Sequence, residues 1–226
     1  IPDDIVDKLM ICKEKNLFDK YYVFFTDYFG NAAYVKSAQN SDYKLLYKVY
    51  ADDNENSYAV FMDTDNEWYT LPIAKNIKYN DEKIGNNVFT TKMKGSEPQV
   101  VVLKTNSQDE VSFIDTAENY TGYKEGIFSK VPDALYTYRS GPMSFGMNYF
   151  ISADTMLFVF PADKTDKDGY YVRSSSGYFS GDTNYTVGLY DIDKFRFASV
   201  VTITENAETV KVSTHLKMAK CTMVNS

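Results

Sequence analysis

His215 is the only imidazole in 226 residues, so any Ser-His-Asp or Cys-His reaction would have to run through it. It sits between Thr214 and Leu216 in a run where Val210, Val212, Thr214, Leu216 and Met218 alternate with polar residues. That alternation is the pattern of a half-buried strand, with His215 on its wet face. The nucleophile elbow G-x-S-x-G does not occur; Gly141-Pro142-Met143-Ser144-Phe145-Gly146 comes nearest and has the wrong spacing. One histidine also falls short of the two or three that catalytic zinc sites use. The 31 Asp and Glu offer many pairs for glycoside hydrolysis, but no spacing singles one out. Ser174-Ser175-Ser176-Gly177 lacks the Gly-Lys-Ser/Thr of a phosphate loop. The residue types therefore predict no enzyme.

Three other groupings could bind rather than react. Asp63, Asp65 and Glu67 alternate, so a strand would put all three carboxylates on one face, as oxygen ligands for Ca2+. Asp163, Asp166 and Asp168 before Gly169 are denser. Aligned on that glycine, however, Lys164 falls at the first position of an EF-hand loop and Ser175 at the twelfth, so the motif fails. The competing reading of both clusters is a solvated turn, in which Asp and Asn bond their own backbone. Ca2+ is the one cofactor that remains open. Trp68, Tyr69, Tyr136 and Tyr138 could stack on sugar rings while neighbouring carboxylates take the hydroxyls. Against this, aromatic rings dominate burial in β domains, and core packing is the stronger claim on them. Cys12 and Cys221 lie near opposite ends of the chain, and either pair in a disulfide or sit as two buried thiols.

These residues need elements to hold them. Ile5, Val6, Leu9, Met10 and Cys12 recur at helical spacing behind Asp3 and Asp4, which predicts a short helix over Asp3 to Lys15. From Asp19 the period drops to two. Strand-like runs at Tyr21–Phe25, Ala32–Val35, Tyr43–Tyr50, Tyr58–Met62 and Trp68–Leu71 are separated by polar turns and closed by Pro72. Val100–Lys104 and Val111–Ile114 make a hairpin. Residues 73–88 are irregular, and 116–147 are rich in Gly, Ser, Tyr and Pro without a sustained period. The clearest stretch follows, with Met156–Phe160, Tyr170–Val172, Tyr185–Tyr190 and Phe195–Ile203 as strands around acidic and Ser/Gly-rich turns.

The totals agree with this pattern. Twenty Tyr and fifteen Phe against one Trp favour pleated, half-buried surfaces over helices. The formal net charge of −7 opposes a phosphate-binding surface, so no nucleic-acid partner is expected. No apolar run reaches ~18 residues, so no membrane insertion is expected within this segment. The chain opens at Ile1-Pro2-Asp3-Asp4 without a Met, as a trimmed or mature product would. The expected fold is all-β and mainly antiparallel: two small barrel- or sandwich-like units with one short N-terminal helix. The first unit would span residues 1–118, and the second, a C-terminal antiparallel unit, residues 119–226.

Three segments together resemble a known lineage. Tyr43–Leu71 carries paired Tyr-rich strands around Asp/Glu/Asn turns, and Val100–Asp115 reads VVVLKTNSQDEVSFID. Leu157–Ile203 follows a pattern F-x-F-P-x-D, then Y-x-V, then Y-x-V-x-x-Y-D-I-D, then A-x-V-V. The combination resembles the non-catalytic ectodomain region of clostridial-type cell-surface proteins that carry S-layer homology domains. It covers about two thirds of the chain and consists of strands and turns rather than reacting groups. The S-layer homology repeats themselves do not occur in these residues, so the resemblance assigns wall anchoring to none of them. It implies an exported, extracellular or cell-surface module with a structural or adhesive role. Its partners would be cell-wall or host glycans or proteins. Carbohydrate binding through surface Trp and Tyr is the alternative.

Overall fold

The computed structural model describes residues 22–26, 32–37, 43–118 and 127–205. The expected N-terminal helix, the expected strand Thr209–Met218, His215 and both cysteines lie outside the described residues. By compactness the chain divides into Ile1–Asp42 and Tyr43–Ser226. The first unit contains an antiparallel pair, β1 (Tyr22–Thr26) and β2 (Ala32–Ser37), with Phe24 opposite Val35.

The second unit is all-β and holds two sheets. The first comprises β3 (Tyr43–Ala51), β4 (Ser57–Met62), β5 (Trp68–Tyr79), β6 (Glu82–Gly85), β7 (Gln99–Thr105) and β8 (Val111–Asp115). Their order is β4-β3-β7-β8-β5-β6, and β4 also pairs with β5, so the circuit of pairings returns to its start. The only α-helix among the described residues, α1 (Asn86–Met93), places Phe89 and Met93, one helical turn apart, in the core of this sheet with Ile73, Ile77 and Ile114.

The second sheet comprises β9 (Lys130–Arg139), β10 (Ser144–Phe145), β11 (Tyr149–Phe150), β12 (Met156–Phe160), β13 (Tyr171–Ser174), β14 (Thr183–Ile192) and β15 (Ala198–Thr204). It runs in the order β11-β10-β9-β14-β15-β12-β13. Both sheets depart from pure antiparallel pairing, because β12 lies parallel to β15 and β5 parallel to β8. Such pairs need a crossover rather than a tight turn. The first is supplied by β13 and β14, the second by β6, α1 and β7.

Two elements differ from what the residues predict. Pro72 does not end its strand. It is the last residue of β5 paired with β4, opposite Tyr58, and the strand then continues against β6 and β8. A proline lacks the N–H that a ladder needs, so it marks the point where β5 changes partners. The irregular segment 116–147 contains a ten-residue strand, β9, paired with β14 from Thr183 to Tyr190. Its register shifts between Val187 and Leu189, opposite Pro132 and Asp133. That bulge hides the period of two.

The two sheets meet in a shared core. Tyr43, Leu45, Met62 and Val100 from the first pack with Phe158, Tyr170, Tyr190 and Val200 from the second. The opposite face of the second sheet buries Leu157, Val159, Val187, Leu189 and Val201. Alternation along β12, β14 and β15 thus divides each strand between two cores. No helix among the described residues is long and apolar enough to cross a membrane.

Candidate functional site

The acidic cluster Asp63, Asp65 and Glu67 is a hairpin loop and not a strand face. Asp63 Oδ1 accepts the backbone N–H of Asp65 at 2.9 Å and of Glu67 at 2.9 Å. The Asp63 N–H donates to the Glu67 carbonyl, and the Asn66 N–H returns to the Asp63 carbonyl. This is a type I turn closed by a bulge residue in the left-handed region, Asn66 at φ 68°. One of the two Asp63 carboxylate oxygens is therefore engaged with the backbone. In the Asp163 loop, Oδ1 accepts both the N–H and the hydroxyl of Thr165, which holds that carboxyl below its ordinary range. Among the described residues no group of three or more His, Cys, Asp or Glu is arranged to hold a metal ion.

The four aromatic residues part company. Trp68, at the start of β5, is partly buried between Tyr47 at 5.4 Å and Tyr170 at 6.2 Å, both edge-on, with Lys167 Nζ 4.5 Å from its ring centre. Its faces are thus engaged by the intersheet seam and by a lysine. Tyr69 points the other way and stacks on Phe61 at 5.8 Å. Tyr138 is a core residue, 5% exposed, against Phe145 and Phe179. Tyr136, on the same side of β9, is partly buried against Tyr149 and Phe145. The structure brings Tyr136 and Tyr138 together, but as packing. Trp68 lies among other residues, and the four form no common platform.

What the strands do build is a cleft of about 900 Å³ on the second sheet. Its floor is the open continuation of the face that packs on the first sheet. Along β14, Tyr190 is buried in the shared core while Thr186 and Asn184, four and six residues back, are exposed. Along β15 the same face passes from buried Val200 through Thr202 to exposed Thr204. Ser96, Glu97, Pro98 and Gln99 from the chain entering β7, with Glu118, form the wall. Sequence reasoning missed this site because its residues come from six separate segments. The signal present was the swap from aromatic and aliphatic to hydroxyl side chains at alternate positions of β14 and β15.

The floor contains a notch at Gly188, on the bulge. A Cβ there would stand 2.2 Å from Asp133 Oδ1 and 2.5 Å from Thr202 Oγ1, so glycine lets both groups lie against the strand. Lys130 closes one side, with Nζ 3.9 Å from Asp133 Oδ1 and 5.1 Å from the Tyr190 ring centre. Burial pushes the Tyr190 hydroxyl up, opposed by the lysine beside it. Lys164 donates to Thr204 Oγ1 at 3.1 Å and lies 5.0 Å from the Phe160 ring centre. Burial lowers its ammonium below the usual lysine value. The result is a hydroxyl-rich groove whose ammonium groups already have partners.

No protein-family model matches this chain, nor does any curated protein or solved structure.

Proposed function

We propose that the chain is a non-catalytic structural or adhesive module of a bacterial cell-surface or secreted protein. The observation that supports this most is the aromatic seam joining the two sheets. Tyr47, Trp68, Tyr170 and Phe160 interlock across it, with ring centres 5.4 to 6.2 Å apart. Edge-on and tilted rings at these distances add cohesion beyond area burial. Hairpin loops tied to their own backbone extend from this rigid body, which suits display at a surface. The resemblance to clostridial-type surface proteins points the same way.

The test is retention of the labelled chain on Gram-positive cell envelopes and on host-cell surfaces, with assays for sugar or peptide release in the same tubes. Retention without release is expected. Release of reducing sugar that tracks the protein concentration would overturn the non-catalytic reading. Carbohydrate binding is the second reading, and the polar cleft favours it more than Trp68 does, because Tyr47, Tyr170 and Lys167 already engage that ring.

A further inference from the structure

The cleft over Gly188 has a specific chemistry. Two ammonium groups, Lys130 and Lys164, face three carboxylates, Glu97, Glu118 and Asp133, so the lining charges sum to −1. Lys130 is turned to Asp133 and Tyr190, and Lys164 to Thr204 and Phe160. No cationic field is left over for a phosphate, a sulfate or an acidic polymer. The floor instead offers hydroxyls, a carboxamide and carboxylates, which donate and accept hydrogen bonds without demanding a charge.

Apolar surface is present in the right proportion. Leu135, paired with Thr186 across β9 and β14, is 67% exposed at the cleft. An exposed leucine among threonines gives a C–H face to rest on, while the notch gives directional partners. At the notch Thr202 is buried and its hydroxyl donates to the Gly188 carbonyl at 3.4 Å. Asp133, lying over Gly188 and exposed, is therefore the acceptor turned to the groove, with the hydroxyl of exposed Thr186 on the same strand as the glycine. The groove also follows the sheet surface, where side chains on one strand repeat every ~7 Å and neighbouring strands lie ~4.8 Å apart. A ligand with a regular polar repeat can use several of them at once.

We propose that this cleft binds a neutral saccharide chain, with Asp133 and Thr186 taking ring hydroxyls and Leu135 contacting a ring's C–H face. This rests on the adhesive reading above and gives it a ligand class and a site. Recognition is by hydrogen bonding and shape, so binding resists salt, unlike capture of a polyanion.

The experiment is affinity electrophoresis of the 226-residue chain in native gels cast with cellulose-type glucan, xylan, mannan or starch, and in a heparin gel. One neutral polysaccharide is expected to retard the chain. Thr186→Arg, which fills the groove from an exposed position, and Asp133→Ala should each weaken that binding about tenfold or more at unchanged Tm. Trp68→Phe should bind as the parent does. Should the arginine variant fail to fold, Asp133→Ala carries the test alone. Retardation by heparin only, by no polysaccharide, or undiminished in both cleft variants would overturn the proposal. If cell envelopes retain the chain and no neutral polysaccharide does, the cleft assignment falls while the adhesive reading stands. If neither retains it, both fall.

Discussion

A single side-chain oxygen holds each of four hairpin loops. Asp52 Oδ1 accepts the N–H groups of Asn54 and Asn56, and Asp63 Oδ1 those of Asp65 and Glu67. Asn106 Oδ1 does the same for Gln108 and Glu110, and Asp193 Oδ1 for Phe195 and Phe197. In every case the fourth residue has positive φ: Glu55 64°, Asn66 68°, Asp109 57° and Arg196 69°. One device, used four times, accounts for acidic turns that composition alone could assign to calcium. Replacing Asp193 with Ala orphans two N–H groups and should cost about 1–3 kcal/mol in urea unfolding. Asp63→Asn should cost far less, since Asn106 already fills the same role in its own loop. With the Asp63 oxygen engaged, Tm should be the same in Ca2+ and in EDTA, and a rise in Ca2+ would contradict the turn assignment. Asn and Asp tolerate the left-handed region, but glutamate pays ~1 kcal/mol there. Glu55→Gly should therefore raise the denaturation midpoint slightly at unchanged slope, and a fall would show that Glu55 does something its backbone angle does not reveal.

At the scale of elements, β13 is the exposed edge of its sheet, and Asn66 covers it. The carboxamide of Asn66 accepts the Val172 N–H at 2.5 Å and donates to the Val172 carbonyl at 3.1 Å, as a paired strand would. A loop of the first sheet thus satisfies the free edge of the second. Asn66→Ala should lower stability by about 1–3 kcal/mol and speed hydrogen exchange at the Val172 amide, while Asn66→Gly should recover the backbone part of that loss but not the exchange protection. Most strands were legible because their turns carry Asp, Asn and Gly and their runs alternate. Three features were not. β5 continues through Pro72, β9 carries Pro132 and a bulge, and α1 has too few turns for a helical period to emerge. The hairpin between β5 and β6 was readable in principle, since Asn80 and Asp81 both have positive φ, as a two-residue turn requires. The cleft was not readable, because a groove depends on which strands become neighbours, and the order β9-β14-β15-β12 includes a parallel crossover. Tyr136 and Tyr138 share a face of β9, and nothing local in the sequence says whether that face is wet or covered.

For the Tyr43–Ser226 unit as a whole, the seam predicts how it comes apart. Tyr43 donates its hydroxyl to Asp191 Oδ2, and Tyr170 donates to the Lys164 carbonyl at 2.9 Å. Burial pushes the Tyr170 hydroxyl from 10.0 up to about 12, and burial also raises Tyr178 to about 12. Tyr171 is raised too, by burial and by its bond to Glu205. A folded-state value above the unfolded one means that the unfolded chain releases its protons first as pH rises. The stabilisation is complete below the ordinary value of 10.0 and is lost as pH climbs toward about 12. Alkaline titration should show tyrosinate absorbance rising together with loss of β circular dichroism, because Tyr170 ionises only when the sheets part, and Tyr171 and Tyr178 only when the core on the other face of the second sheet opens. Tyr170→Phe keeps the ring against Trp68 and Phe160 but removes one of those protons, so its Tm should fall less steeply across that window. Its stability at neutral pH should drop by about 1 kcal/mol for the lost hydrogen bond. If Tyr170 instead titrates at the ordinary value of 10.0 while the dichroism holds, the seam is open to water. Rigidity of the body, on which the proposed display at a surface depends, would then need another source.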